Sequence, residues 1–449
     1  MKLPASNIAC FRRLLRAATR LAFNAGDRRL PAIGAIAPWL PRLSTTLYVA
    51  LTVCAGLGWP ASAAAIDDQF RTWLADDLWP EAQARGISSQ TFEAAFGGVR
   101  PNLKLPDLVL PGAKPTTPKK QHQAEFGSPG SYFGPVGAVT SGGRARASAN
   151  SRTLSAVEKR YGVPGPVVLA IWGRESGFGT AKIPYDAFEV LGTKAFLATR
   201  KDMFRSEVLA ALEMLERGLV SRKAMKSSWA GALGQPQFLP TSFLKHAVDF
   251  DGDGRADIWN SEPDTLASIA NYLADYGWAK GRDWGFEVNV PETVSCALEG
   301  PDRGKRISDW AALGITRVGG KPFPAAEKRA EGFLLMPAGR NGPAFIVTPN
   351  FYVLKEYNES DLYALFIGHS ADRIAHGDKG FTGGWGKVGG LYRSDIAALQ
   401  RGLEKLGYDV GSADGLPGFK TRRSIGDWQA RNGRASTCFP DRELVKALS

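Results

Sequence analysis

One carboxylate, Glu175, stands at the end of an otherwise apolar stretch and is followed by glycines. Val168, Ile171 and Trp172 recur at the spacing of one helix face, and Glu175 follows the last two by four and three residues. A carboxyl group held against apolar side chains tends to keep its proton near neutral pH, which a general acid for glycosidic cleavage requires. The alternative is a glutamate that faces water at a helix end, as most glutamates do.

The residues around this stretch predict the limits of its helix. Pro164 and Pro166 suit a helix start, because a missing N–H costs little in the first turn. Gly177 and Gly179 are expected to end the helix and to let another segment approach closely. The sequence therefore predicts a helix that ends just beyond Glu175.

An acidic loop is the second candidate site. Asp249, Asp251 and Asp253 occupy positions 1, 3 and 5 of an EF-hand calcium loop, and Gly254 occupies position 6. Position 12 is Asn260 instead of the usual glutamate, so the second half of the loop is irregular. We expect a structural Ca²⁺ site here, and the alternative is an acidic turn held by bonds from side chains to backbone. No organic cofactor is expected.

A segment rich in small residues, 228–242, could form the wall of a groove. Gln237 and Phe238 offer an amide and an aromatic face, a pair of groups that commonly binds sugars. A tight junction between helices would have a similar composition, so the segment alone does not decide between the two.

Composition and charge favour an exported globular protein of two or three domains. The net charge is +12 over 449 residues, but residues 1–65 carry eight basic residues and one acid, which leaves only +5 for the rest. No basic helix or stacking module indicates nucleic-acid binding, so we expect no nucleic acid as partner and favour a polymer or envelope surface.

The first 65 residues are typical of a signal peptide. An apolar core at 47–58 precedes small residues at 61–65, which predicts a mature start near 64–66. An uncleaved anchor is the alternative. Cys54 could suggest lipid anchoring, but the bulky Val53 before it argues against that. Export would permit a disulfide between Cys296 and Cys438, yet two unpaired thiols are the expectation, because these residues lie in different modules.

The rest of the chain divides by periodicity and composition. Two short helices are expected between 67 and 96, and an extended segment with little regular structure between 100 and 150. Further helices are predicted at 153–161, 204–217, 266–276, 350–357 and 361–374, and short strands between 284 and 348. Residues 376–390, rich in glycine, are expected to be a linker, and 391–449 a small binding module.

Five separated motifs occur in a characteristic order. They are Tyr161-Gly162-Val163-Pro164, Gly173-Arg174-Glu175-Ser176, Gly231-Ala232-Leu233-Gly234-Gln235-Pro236-Gln237-Phe238-Leu239-Pro240, Ala270-Asn271-Tyr272, and Asn350-Phe351-Tyr352 through Tyr357-Asn358. Their order and spacing resemble the lytic murein transglycosylase B family over about residues 66–375. The tail, with Leu406-Gly407-Tyr408 and Asp414-Gly415, is similar to the three-helix peptidoglycan-binding domain.

This resemblance implies a mainly α (α+β) fold. It implies a lysozyme-like helical catalytic domain at 66–375 with a small β-rich subdomain, a linker at 376–390, and a C-terminal three-helix peptidoglycan-binding module at 391–449. It also implies that Glu175 is the single catalytic acid and base. In that chemistry the bond between N-acetylmuramic acid and N-acetylglucosamine is cleaved, and the muramic acid 6-hydroxyl attacks C1, which leaves a 1,6-anhydro end.

The resemblance extends to binding residues. The saccharide contacts that it implies are Ser228, Gln237, Phe238, Tyr272 and Asn358. The metal ligands that it implies are Asp249, Asp251, Asp253, the Arg255 carbonyl, and Asp264 after a one-residue insertion. It implies peptidoglycan glycan strands as partner, with cell-wall synthesis or division proteins as further candidates, and a monomer in the periplasm without a lipid anchor.

Four other functions are less well supported by the sequence. A muramidase that adds water would use a second acid opposite Glu175, and the matched motifs offer no obvious candidate. A cell-wall-binding scaffold is disfavoured by the intact Glu175 motif. Metal and serine hydrolases are disfavoured because the four histidines lack HExxH spacing and no GxSxG elbow surrounds Ser176.

Overall fold

The computed structural model describes residues 63–112, 129–377, 379–386 and 390–449. The predicted signal peptide and Cys54 therefore fall almost entirely outside the described residues. Within the described ranges, no helix has both the length and the apolar character needed to cross a membrane.

Helices build most of the described chain. The helices before the main sheet are α1 (Ala63–Trp73), α2 (Trp79–Ala84), α3 (Ser89–Phe96), α4 (Val136–Ala149), α5 (Ser151–Tyr161), α6 (Gly165–Ser176), α7 (Ala187–Leu197), α8 (Lys201–Glu216), α9 (Pro240–His246) and α10 (Glu262–Asp275). The later helices are α11 (Ile307–Ala312), α12 (Pro349–Tyr357), α13 (Asp361–His376), α14 (Arg393–Lys405), α15 (Phe419–Arg431) and α16 (Arg442–Leu448). A π-helical turn, Leu74–Leu78, joins α1 to α2.

Two antiparallel sheets complete the fold. The strands are β1 (Tyr185–Asp186), β2 (Lys226–Ser227), β3 (Gly285–Asn289), β4 (Lys305–Arg306), β5 (Thr316–Arg317), β6 (Glu331–Leu335), β7 (Pro337–Arg340) and β8 (Ala344–Val347). β1 pairs with β2, and the main sheet has the order β4-β6-β8-β3-β5. Ile346 in β8 stands opposite both Phe286 and Leu334, so apolar residues meet across its centre. The small sheet expected between 284 and 348 is confirmed.

The expectation of little regular structure at 100–150 is wrong for its last part, where α4 forms. That expectation rested on the composition of the whole segment, but two of its glycines, Gly142 and Gly143, serve close packing. A Cβ at Gly143 would collide with Ile374 of α13, and one at Gly142 would collide with Phe178. These glycines let helix α4 approach its neighbours, and that gain offsets their low helix propensity.

Helix α6 runs through the main core. Its residues from Val167 to Gly173 are buried, and Trp172 is fully buried. It packs against α13, α4 and α10, and of these α10 and α13 lie far from it in the sequence. A helix enclosed on several sides holds its last turn in one position, and Glu175 lies in that turn.

The expectation of two unpaired thiols is wrong. Cys296 and Cys438 form a disulfide with an S–S distance of 2.08 Å, although 142 residues separate them. Cys296 belongs to the region of the main sheet and Cys438 to the C-terminal module, and both lie in one buried apolar cluster. The sequence placed them in different modules, and only the tertiary fold brings these two modules into contact.

The segment expected to be a linker is packed over residues 379–386. The Phe381 ring stacks on His369 with centroids 3.9 Å apart, and Trp385 stacks on Phe133 at 5.4 Å. The Gly383 N–H donates to Glu287 Oε1 at 2.6 Å. Aromatic residues spaced among the glycines thus attach this segment to the helical body.

Candidate active site

Glu175 sits where α6 ends, and the glycines after it act as the sequence predicts. Gly177 caps the helix in the left-handed conformation, at φ 56° and ψ 41°. A Cβ at Gly179 would collide with the side-chain amide of Gln235, so the groove segment approaches the helix end closely. Pro164 caps the start of α6, and a proline lies within its first turn, also as predicted.

The environment of Glu175 favours its protonated form. The side chain is half-buried, and the Tyr363 hydroxyl donates to its Oε1 at 2.5 Å. Burial raises the pKa of Glu175 to about 7, while the Tyr363 hydrogen bond and the Arg174 charge act in the opposite direction. Glu175 can therefore donate a proton near neutral pH, and the Tyr363 hydroxyl can then stabilise the carboxylate that remains.

Arg174 precedes Glu175, but aromatic rings hold its charge in place. Its guanidinium lies 4.7 Å from the ring centre of Tyr132 and 4.7 Å from that of Phe366. Tyr132 therefore packs against the helix that carries the acid. A cation held in this way lowers the pKa of Glu175 less than a direct ion pair would.

Two parallel tyrosines extend the site from Glu175 toward the groove segment. The rings of Tyr363 and Tyr357 are 6.4 Å apart at an angle of 10°, and the Tyr357 hydroxyl donates to the Pro236 carbonyl at 2.7 Å. Burial raises the pKa of both phenols well above the usual 10, so both remain neutral donors. Sequence reasoning missed Tyr363 as a site residue. It lies 188 residues from Glu175 in the sequence, and no local motif predicts its contact with that carboxyl.

Two of the predicted saccharide contacts, Phe238 and Tyr272, lie behind this pair. They are 2% and 7% exposed, their ring centres are 5.6 Å apart, and both rings contact Tyr357. The Tyr272 hydroxyl donates to the Glu356 carbonyl at 2.7 Å. The two rings therefore support the groove wall from within, and their contact with a sugar stays a prediction.

The other three predicted contacts are more accessible. Gln237 is half-buried in a left-handed conformation, φ 54°, with its amide donating to the Gly234 carbonyl at 2.9 Å. Positive φ is uncommon outside glycine and often marks functional positions. The Ser228 hydroxyl accepts from the Ala232 N–H at 3.2 Å, and the exposed Asn358 directly follows Tyr357. Gln237 and Asn358 thus adjoin the rings of Phe238, Tyr272 and Tyr357. Ser228 lies at the other end of segment 228–242 from Gln237.

The acidic loop brings three carboxylates together. Oxygen atoms of Asp249, Asp251 and Asp264 lie within 4.8 Å of one another, and Asp264 is fully buried. Such oxygen donors suit Ca²⁺. Asp253 is not in this group, and its carboxylate accepts from the Arg255 N–H at 2.9 Å. The donor set therefore fits a hard cation through three of the predicted ligands.

The loop also supports the groove wall. Asp264 accepts from the N–H groups of Phe250 and Asp257, each at 2.8 Å, which ties the two ends of the loop to α10. Burial raises the pKa of Asp264, because its charge is removed from water. At the far end of the loop, the Ile258 carbonyl accepts from the Gln235 N–H at 2.8 Å. The loop thus lies directly behind the segment that approaches Glu175.

The sequence of this chain matches two known protein families. The family model described as Transglycosylase SLT domain matches residues 69–372, and the model described as Putative peptidoglycan binding domain matches residues 392–448. This chain belongs to the transglycosylase SLT domain family. The family resemblance found in the sequence is confirmed, and so is the expected mainly helical fold with a small sheet.

Relatives within the SLT family include proteins of known structure. SltB3 from Pseudomonas aeruginosa, solved in complex with NAG-anhNAM-pentapeptide, is 37% identical at a TM-score of 0.75, covering 84% of this chain and 99% of SltB3. A second SltB3 structure, with NAG-NAM-pentapeptide, is 36% identical at a TM-score of 0.76, covering 85% and 99%.

Two Escherichia coli proteins are more distant. Membrane-bound lytic murein transglycosylase B, from strain K12, is 30% identical over 221 residues; the match spans 48% of this chain and 58% of that relative. Slt35, solved in complex with calcium, is 24% identical at a TM-score of 0.56, covering 69% of this chain and 94% of Slt35. At that identity, the likeness to Slt35 shows the fold alone.

Proposed function

We propose that this SLT family protein is a lytic transglycosylase. It cleaves the β-1,4 bond between N-acetylmuramic acid and N-acetylglucosamine in peptidoglycan and leaves 1,6-anhydro-muramic acid ends. The observation that carries this proposal is the carboxyl of Glu175, with its pKa raised to about 7 and a tyrosine hydroxyl on its Oε1. One carboxyl that is neutral at the start and stabilised when charged suits a reaction in which the same group acts first as acid and then as base.

The reaction begins with a proton transfer from Glu175. The proton goes to the oxygen that bridges the two sugars, the bond from C1 to this oxygen breaks, and positive charge develops at C1. The Tyr363 hydroxyl stabilises the carboxylate that forms. This carboxylate then removes the proton from the muramic acid 6-hydroxyl, whose oxygen bonds to C1. Glu175 ends protonated and ready for the next bond, and no water is consumed.

The rest of the molecule binds and orients the glycan strand. The saccharide contacts proposed are Ser228, Gln237, Phe238, Tyr272 and Asn358. The C-terminal module, whose sequence matches a peptidoglycan-binding family, would hold the polymer near the groove. An exported, monomeric protein acting in the periplasm on wall remodelling and turnover fits this substrate, with the first 65 residues as its signal peptide.

A calcium ion in the acidic loop is part of the proposal. Asp249, Asp251 and Asp264 would hold it, with Asp253 and the Arg255 carbonyl as further ligands after a local rearrangement. When bound, the ion would offset the repulsion among the three carboxylates and stiffen the loop behind Gln235. Its role is structural, because the loop supports the wall and supplies no group to the sugar.

The test is digestion of purified peptidoglycan sacculi by the mature protein, with Glu175→Gln as the matched variant. Mass spectrometry of the released muropeptides should show products lighter by one water than hydrolytic products, and none with the variant. Reducing-end products would identify a hydrolytic muramidase. Release of nothing by either protein would favour a cell-wall-binding scaffold.

A further inference from the structure

A buried arginine of the C-terminal module, Arg422, joins that module to the catalytic domain. It belongs to α15 and its side chain is 4% exposed. Its guanidinium donates to both oxygens of Glu299, at 2.6 and 3.0 Å, and Glu299 is itself fully buried. Glu299 also accepts from the Met336 N–H at 2.8 Å. The forked geometry fixes the guanidinium in one plane.

The same guanidinium reaches the helix that carries Tyr363. Arg422 Nη2 donates to Asp361 Oδ2 at 3.1 Å, while Lys355 Nζ donates to Asp361 Oδ1 at 2.6 Å. Asp361 is the first residue of α13, and Tyr363 stands two residues later in the same turn. The Tyr363 hydroxyl then donates to Glu175. An unbroken series of contacts therefore leads from the C-terminal module to the catalytic carboxyl.

We propose that Arg422 is a positioning residue for the cleavage reaction: it holds the first turn of α13, and through it the Tyr363 hydroxyl, in place on Glu175. The C-terminal module then has two roles, since it completes the support of the active site as well as binding the polymer. This inference rests on the proposed function, and it deepens that proposal by assigning a catalytic contribution to the module.

The chemistry of the contact requires an arginine. Nη2 of Arg422 lies between Glu299 and Asp361, and Nε fixes its position through the second oxygen of Glu299. A lysine ammonium at position 422 would end one bond short of Nη2 and would have no second nitrogen to hold it there. Arg422→Lys should therefore keep the charge in the interface and lose the link to α13. Asp361→Asn weakens the same link from the other side.

The neighbouring arginine supplies a matched control. Arg423 also crosses the interface, donating to Asp302 at 2.5 Å and to the Glu299 carbonyl at 3.3 Å, but no contact found for it reaches α13. Arg423→Lys should disturb module docking to a similar degree without loosening Tyr363. Thermal unfolding of both variants checks that the comparison is between folded proteins.

The decisive experiment is a double-mutant cycle on turnover of peptidoglycan. Arg422→Lys should lower kcat about tenfold with little change in KM, because a small displacement of a catalytic contact slows the chemical step. In the Tyr363→Phe background, Arg422→Lys should lower kcat by less than about twofold, because the contact it positions is already gone. Arg423→Lys should leave kcat within about twofold of the native protein.

Equal effects of Arg422→Lys in both backgrounds would overturn the inference, as would a change confined to KM. A second measurement does not depend on turnover: the pKa of Glu175 from NMR of a labelled carboxyl. It should rise in both Arg422→Lys and Asp361→Asn, because the stabilising hydroxyl is displaced, and an unchanged value in both would refute the positioning role. If the native protein releases no anhydro product, the proposed function fails while this titration still judges the inference.

Discussion

Replacing Glu175 by glutamine should stabilise the protein, and only at higher pH. The pKa of Glu175 lies at about 7 in the fold, against 4.5 for a solvated glutamate. The folded state therefore binds this proton more tightly than the unfolded chain does. The stability that the neutral carboxyl contributes is fully present below pH 4.5 and is lost as the pH rises through 7.

The size of the effect follows from this difference. At about 1.4 kcal/mol per pKa unit, the charged carboxylate costs the folded protein up to about 3 kcal/mol at pH 8, and water in the groove lowers this to about 2 kcal/mol. Glu175→Gln keeps the shape and an acceptor for Tyr363 but carries no charge. We expect it to raise the free energy of unfolding by about 2 kcal/mol at pH 8 and by well under 1 kcal/mol at pH 5.

Calorimetric unfolding at the two pH values measures this directly. The midpoint of Glu175→Gln should exceed that of the native protein by a few degrees at pH 8, with little difference at pH 5. Glu404→Gln, at an exposed position on α14, controls for the loss of one negative charge. A stabilisation that is equal at both pH values, or a loss of stability at pH 8, would refute the assignment of Glu175 as a carboxyl kept neutral by burial.

Three further predictions concern other parts of the molecule. Tyr363→Phe should raise the pKa of Glu175, so the fall in kcat/KM at high pH should move to higher pH, and kcat should drop about tenfold or more. An unchanged pH profile of kcat/KM would contradict the hydrogen bond from Tyr363 to Glu175. Cys296→Ser should lower the free energy of unfolding by at most about 5 kcal/mol, because the disulfide with Cys438 closes a long loop of chain, and it should make denaturant unfolding insensitive to reductant. Equal reductant sensitivity in the variant and the native protein would contradict the disulfide. Added Ca²⁺ should raise the unfolding midpoint of the native protein more than that of Asp249→Asn and should not change which products form. Equal shifts of the midpoint in both proteins would argue against the acidic loop as the Ca²⁺ site.

Local patterns predicted the elements of the site better than its contacts. The helix that ends at Glu175 followed from prolines, glycines and apolar spacing, all within fifteen residues of one another. The acidic loop was visible for the same reason. Tyr363 and Arg422 were not, because their partners lie far away in sequence and are brought close only by the packing of α13 and α15.

The close contacts of two glycines and two cysteines were not predictable for a related reason. The composition of residues 100–150 indicated an irregular segment, yet Gly142 and Gly143 allow α4 to approach its neighbours. Cys296 and Cys438 lie in stretches whose sequence predicts separate modules, and no local pattern predicts the interface that joins them. Both errors concern close approach between elements, a property that composition does not encode.

The central claim is that Glu175 drives cleavage by the sugar's own hydroxyl instead of water. Digestion of sacculi in water labelled with heavy oxygen tests it most directly, because a hydrolase must place a solvent oxygen on C1 and the proposed reaction cannot. We predict anhydro products without label, formed by the native protein and lost in Glu175→Gln. Label at C1 of the released muramic acid would contradict the mechanism.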